Sequence, residues 1–354
     1  MELMEDIIIR KVKHSRIDEV DFDKLEFGKY VSDHMLVCDY VQGEWQTAHI
    51  IPFGNLSMSP TTLALHYGQA VFEGMKALHM HDGRVNIFRT EKHYERLLKT
   101  LHRMCMPVLP KEIFVKGLRQ LVELDAAWVP SQEGSALYIR PFMYASEARF
   151  GVKVSDEYRF IIFTGPVGPV FSKPIRVKVE TDYARAVKGG TGFAKCAGNY
   201  GGAFYPTQLA RQQGFDQVLW TDAIEHKYIE ESGMMNVMFV IDKTIVTPAL
   251  SDSILDGVTR DSLLTVAGEL GIKTAERKIS IQELKHAFET GLITEAFGAG
   301  TAAVVSPIQT INMDGADFNL PAYHKDSVMY RLRDKLEAIR TGKDEDKYGW
   351  NDVI

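Results

Sequence analysis

Gly192-Phe193-Ala194-Lys195-Cys196-Ala197-Gly198-Asn199-Tyr200-Gly201-Gly202 is the stretch on which the reading of this chain turns. It sets a single lysine in a glycine-rich loop, with a phenol five residues further on. Glu230-Glu231-Ser232-Gly233-Met234-Met235-Asn236 follows, acidic residues leading into an apolar run. Amine, phenol and carboxylate together suit one chemistry. A lysine can carry pyridoxal phosphate as a Schiff base, a carboxylate can keep the pyridine nitrogen protonated, and a phenol can hydrogen-bond the ring hydroxyl. Taken alone, the loop reads as an ordinary solvated lysine. The wider pattern reverses that.

Outward from the loop, the second half begins with a strand at 175–180. It continues with a helix at 205–213 and strands at 217–221 and 236–241. A helix opens near Thr259 and ends at Gly271, and Ser280-Ile281-Gln282-Glu283 is a capping box for one that stops at Gly291. A last helix covers 325–340. In the first half, 34–40 and 45–51 flank a Gln42-Gly43 turn, and 75–80 and 85–88 flank His81-Asp82-Gly83. Thr90 caps a helix to Met104 with Leu97, Leu98, Leu101 and Met104 inward; a second spans 111–127. Strands follow at 136–144 and 159–164. Gly165-Pro166-Val167-Gly168-Pro169, with Pro174 beyond, is the densest Gly/Pro punctuation. It predicts a smaller N-terminal domain at 1–165, a loop at 166–174 and a larger domain at 175–354. Helices and strands do not alternate strictly, so an α+β class is expected rather than a doubly wound sheet.

The 354 residues, 45% apolar, suffice for two cores. The net charge of -6 and the lack of a basic block speak against nucleic acid. Cys38, Cys105 and Cys196 form no Cys-x-x-Cys, which argues against a disulfide framework or a zinc site and fits a reducing cytoplasm. The longest apolar stretches are interrupted by Gly and Pro and are too short to span a bilayer. The acidic N-terminus reads as neither a secretory nor a mitochondrial signal.

Phosphate needs N–H donors and a cation. Val258 and Thr259 open a helix after Gly257, where unpaired N–H groups and the helix dipole favour an anion. Gly298-Ala299-Gly300-Thr301-Ala302-Ala303 mimics a dinucleotide fingerprint, but Pro307 would break the required helix after about one turn. A turn presenting the N–H groups of Thr301 and Ala302 is the better reading, and a nicotinamide dehydrogenase is set aside. Lys92, Arg96, Lys99 and Arg103 line one side of the 90–104 helix, a pattern that reads as a solvated face.

Five blocks in order resemble the branched-chain amino-acid aminotransferases of fold type IV. They are Leu65-His66-Tyr67-Gly68-Gln69-Ala70-Val71-Phe72-Glu73-Gly74-Met75-Lys76-Ala77, the lysine loop, Glu231-Ser232-Gly233-Met234-Met235-Asn236, Asp256-Gly257-Val258-Thr259-Arg260 and Phe297-Gly298-Ala299-Gly300-Thr301-Ala302-Ala303. The resemblance covers nearly the whole chain from Phe27. It implies two domains with the active site at their interface, pyridoxal 5'-phosphate on Lys195, and at least a homodimer whose partner helps close the site. It implies the ring hydroxyl on Tyr200, the ring nitrogen on Glu231 rather than Glu230, and the phosphate on Arg96, Val258, Thr259 and Thr301. Phe27, Tyr67, Phe72 and Tyr138 are then expected to line the substrate pocket, with Ala302 near the substrate carboxylate. Arg140 shares a strand face with Tyr138 and suits the distal carboxylate of glutamate. The implied reaction moves the amino group of leucine, isoleucine or valine to 2-oxoglutarate and back. The substrates are thus these amino acids, their 2-oxo acids, and glutamate with 2-oxoglutarate.

The chain departs from mammalian members in three places. Ala303 and Ser306 replace a redox Cys-x-x-Cys, Val170 replaces a tyrosine of the interdomain loop, and Met234 replaces a threonine. D-amino-acid aminotransferase and aminodeoxychorismate lyase share the fold but lack the Tyr67–Lys76 block. A catalytically silent homologue has no reason to keep Lys195, Tyr200 and Glu231 together.

Overall fold

A computed structural model describes residues 6–169 and 173–354. Val170 and the middle of the expected 166–174 loop lie outside the described residues. The chain forms two compact units. The first comprises Met1–Val170, Lys195–Gly198 and Ile339–Ile354; the second comprises Phe171–Ala194 and Asn199–Ala338. The division therefore differs from a single cut at the Gly/Pro-rich segment. Two later pieces of chain cluster with the first unit because backbone pairing holds them there.

The first unit is built on a ten-stranded sheet. Its spine is the antiparallel pair Ala136–Ala145 and Tyr158–Val167, matched from Ala136↔Val167 to Ala145↔Tyr158. Residues alternate along the first of these strands, so Leu137, Ile139 and Met143 enter the core while Tyr138 and Arg140 take the other face. Two helices cover the core face. Thr90–Arg103 contributes Leu97 and Leu101, and Lys111–Leu124 contributes Ile113, Leu118, Leu121 and Val122. Each fully buried aliphatic side chain of this kind contributes roughly 1.5–3 kcal/mol. Thr90 does not cap its helix as expected. Arg89 precedes the helix at φ 61, and the buried Thr90 hydroxyl has no hydrogen-bond partner among the described residues. Asn351–Val353 joins the sheet edge at Val85–Phe88, and Arg89 stacks over Trp350 at 4.5 Å.

The second unit holds a nine-stranded mixed sheet. Ile175–Glu180 runs parallel to Gln217–Thr221 on one side and to Val304–Met313 on the other. Ile293–Gly300 and Met235–Ile241 continue the order, and Ile229–Ser232 pairs with both Gln217–Thr221 and Met235–Ile241. The sheet thereby closes on itself as a six-strand ring. Val258–Glu269 and Ile281–Glu289 are among its helices, and the Ser280 hydroxyl accepts the Glu283 N–H as the capping pattern requires. The Gly298–Ala303 segment is the end of a strand and a turn into Val304–Met313, so no dinucleotide-type helix follows it. The chain is α+β. Among the described residues no helix is long and apolar enough to cross a membrane.

Candidate active site

In the first unit, the lysine segment lies beside the short strand Ala70–Phe72. The Phe72 N–H donates to the Lys195 carbonyl at 3.0 Å, and the Ala197 N–H donates to the Ala70 carbonyl at 2.9 Å. The Lys195 N–H donates to the Thr100 hydroxyl at 3.0 Å. A loop rich in glycine is thus fixed through its backbone, and the amine is left to its side chain. Nζ sits 4.9 Å from the centre of the Phe72 ring.

Phe72 also carries the Arg140 guanidinium at 4.8 Å, and the same group lies 5.3 Å from the Tyr138 ring. Arg140 donates from Nη2 to the Tyr138 hydroxyl at 3.1 Å, and Phe27 meets Tyr138 edge-on at 5.0 Å. Four of the five expected pocket residues of this unit therefore come together with Lys195. Tyr67 takes no part in these ring contacts among the described residues; it is half-exposed at the end of the Leu63–Tyr67 helix, with its ring against His66.

Arg96 is the buried member of the basic stripe, at 5% exposure, while Lys99 is exposed. Its Nε and Nη2 grip Glu73 at 2.8 and 2.6 Å, and His93 Nδ1 meets the same carboxylate at 2.8 Å. Burial pushes the Glu73 carboxyl up, but Arg96 and His93 more than reverse this and hold it well below the ordinary carboxylate range. Burial lowers His93 in spite of Glu73, with the charges of Arg96 and Lys195 adding to the effect. Glu73 and His93 carry no role in the sequence reading. The available signal was the helical spacing that sets His93, Arg96 and Leu97 on one buried face.

In the second unit, Asn199 closes the loop on itself by donating to the carbonyls of Thr191 and Ala194 at 2.8 and 2.7 Å. Tyr200, next to it, lines a cavity of about 540 Å³ together with Arg185, Gly192, Glu231, Met234 and Leu255. Glu231 and Glu230 are neighbours on Ile229–Ser232 and so face opposite ways. Glu231 is the one that opens to the cavity. It is 3% exposed; its Oε1 accepts the Leu255 N–H at 2.8 Å and Asn236 Nδ2 at 3.4 Å. Its Oε2 lies 3.1 Å from Arg185 Nε. Glu230 accepts from the Ser253 hydroxyl, and burial outweighs that bond and the Arg185 charge to push its carboxyl up.

Sheet register gathers the remaining motifs. Glu231 pairs with Asn236, Asn236 with Ala299, and Ala299 with Val305, so these residues form one row across the ring. Thr301 and Ala302 occupy the turn that begins two positions beyond Ala299. Asn236 also donates to the Leu255 carbonyl at 2.9 Å, which ties the row to the start of Val258–Glu269, where Val258 and Thr259 present first-turn N–H groups. Gly257 is needed there, because a Cβ on it would strike the Asn236 amide oxygen. Gly257→Ala should destabilise the protein by about 1–3 kcal/mol, read as a lowered urea midpoint. An unchanged midpoint would show that Asn236 can move aside without cost.

Each unit, taken by itself, holds groups that suit pyridoxal phosphate: the first an amine on an aromatic wall and a buried arginine, the second a phenol, a buried carboxylate and a helix N-terminus beside a turn. Arg185 is the residue that sequence reading missed altogether, since nothing in its local pattern marks it.

Residues 70–311 match the family model for amino-transferase class IV. The branched-chain-amino-acid transaminase 1 of Bacillus subtilis (strain 168) is 44% identical over 338 residues, 94% of this chain and 95% of that protein. The crystal structure of a branched-chain aminotransferase from Thermoproteus uzoniensis with norvaline matches with a TM-score of 0.75 at 26% identity, covering 90% of this chain and 99% of that one. The branched-chain amino acid aminotransferase from Escherichia coli matches at 0.71 and 26% identity, covering 89% and 98%.

Proposed function

Because this chain belongs to the class IV amino-transferases, among the branched-chain-amino-acid enzymes, we propose that it exchanges amino groups between leucine, isoleucine or valine and 2-oxoglutarate, using pyridoxal 5'-phosphate. The observation that carries the residue assignments is Glu231, a buried carboxylate with Arg185 beside it, facing the same cavity as Tyr200. When bound, the cofactor supplies an electron sink for the bond broken at the substrate's α-carbon.

The rest is work for the chain. Lys195 would hold the cofactor through its Nζ, and the same amine would move a proton to and from the substrate's α-carbon. A free lysine's pKa of about 10.4 is too high for a base near neutrality, so the site must favour the neutral amine. Glu231 holds a proton on the ring nitrogen, and Tyr200 bonds the ring hydroxyl. Arg96 and the first-turn N–H groups of Val258 and Thr259, with the Thr301 turn, hold the phosphate. Glu73 lets Arg96 stay buried and oriented, because an unpaired guanidinium there would cost several kcal/mol.

Phe27, Phe72 and Tyr138 favour an apolar side chain, worth about 0.8 kcal/mol per methylene buried. Arg140, stacked between two of those rings, gives the same pocket a cation for the distal carboxylate of glutamate. Ala302 serves the substrate's α-carboxylate through its backbone. Arg140→Met keeps the apolar contact and removes the charge. It should lower kcat/KM for 2-oxoglutarate by about ten- to a hundredfold, with little change for leucine. Equal losses on both substrates would make Arg140 a structural residue.

Association of at least two copies belongs to this reading. The exposed apolar Leu65, Tyr67, Phe150 and Val152 support it, since the 61–63 and 147–149 backbones are bonded together. A cytoplasmic location is supported by three cysteines that are all free. The direct test of the function is glutamate formation from leucine and 2-oxoglutarate by the purified protein, with D-leucine as the control that must fail.

A further inference from the structure

Arg185 spends its hydrogen bonds on backbone. Its Nη2 donates to the carbonyl of Ser253 and, at 3.4 Å, to that of Gly192. The space between those two loops is closed to side chains: a Cβ on Gly192 would stand 2.6 Å from Ser253 Cα. The guanidinium is therefore fixed before Glu231 is considered. Toward Glu231 it turns Nε, 3.1 Å from Oε2, but the N–H direction misses that oxygen and makes no hydrogen bond. The contact is one of charge. The side chains are only 9% and 4% exposed, so water screens it little.

An ionised carboxylate this deeply buried needs such a partner. The two neutral donors on Oε1, the Leu255 N–H and Asn236, orient Glu231 but do not balance its charge. The other titratable groups around it are Tyr200, Tyr205 and Arg211, which line the same cavity, and Glu230, on the reverse face of the strand. Arg185 is the cation that stands within ion-pair distance of Glu231.

We propose that Arg185 is a positioning residue whose fixed charge keeps Glu231 a carboxylate, so that Glu231 can hold the proton on the cofactor's ring nitrogen. The inference rests on the role given to Glu231 above. In the holoenzyme, Arg185→Gln should cost about ten- to a hundredfold in kcat with the natural cofactor. It should also introduce a pH-dependent change in the bound cofactor's absorption that the wild type lacks, because a buried carboxylate that has lost its cation is more easily protonated. Arg185→Lys, which keeps the charge, should restore most of both.

Reconstitution with 1-deazapyridoxal phosphate, in which CH replaces the ring nitrogen, separates the explanations. With this analogue Arg185→Gln should cost less than about twofold, because the effect has no nitrogen to act on. Equal losses with the natural and deaza cofactors, or a lysine variant as poor as the glutamine one, would overturn the proposal and leave Arg185 as a clamp between two loops. A wild type that works as fast with the deaza cofactor would instead overturn the role of Glu231 itself.

Discussion

Lys195→Ala should lower transamination by at least about a thousandfold, the largest effect expected of any single change. The substitution removes the amine that anchors the cofactor and moves the proton, the one 4.9 Å from the centre of the Phe72 ring. It should leave the fold intact. The three backbone hydrogen bonds that seat the segment, to Thr100, Phe72 and Ala70, do not involve the side chain. Thermal unfolding should accordingly move little. A variant retaining a tenth of the wild-type rate would show that the proton is moved by another group.

Glu231→Gln is expected to cost about a hundredfold or more in kcat, against a nearly silent Glu230→Gln. Glutamine preserves the two bonds on Oε1 in shape but cannot hold a proton on a ring nitrogen, and it leaves the Arg185 charge uncompensated in a buried place. Glu230 points to the other face and loses little, because its hydrogen-bond partner among the described residues is the Ser253 hydroxyl, which an amide can still accept from. Comparison of the two variants at matched cofactor loading decides the matter. The reverse ranking would mean that the strand presents its other face to the chemistry.

Much of this was legible in the sequence, for reasons that differ between elements. The strand at 175–180 and the helix at 281–289 announce themselves locally, one by alternation between turn signals and the other by its capping box. Leu137 and Ile139 against Tyr138 and Arg140 gave the faces of a strand correctly, because one side of that strand is fully buried.

The elements that escaped depend on distant partners. Ala70–Phe72, Ile229–Ser232 and Asn351–Val353 are too short for any periodicity, and pairing alone makes them strands. Val304–Met313 was hidden by Pro307, which is tolerated because it sits beside a register shift opposite Ile175 and Arg176. The same distinction runs through the candidate site. Lys195, Tyr200 and Glu231 stand in motifs that spacing can reveal. Glu73 and Arg185 act through groups far away in sequence, and only the folded backbone brings them there.

Borohydride reduction of the purified holoenzyme, followed by peptide mapping, tests the central claim most directly. The pyridoxyl group should be found on the peptide containing Lys195, and the reduced protein should be inactive. Recovery of the label on any other lysine, with Lys195 unmodified, would contradict the account.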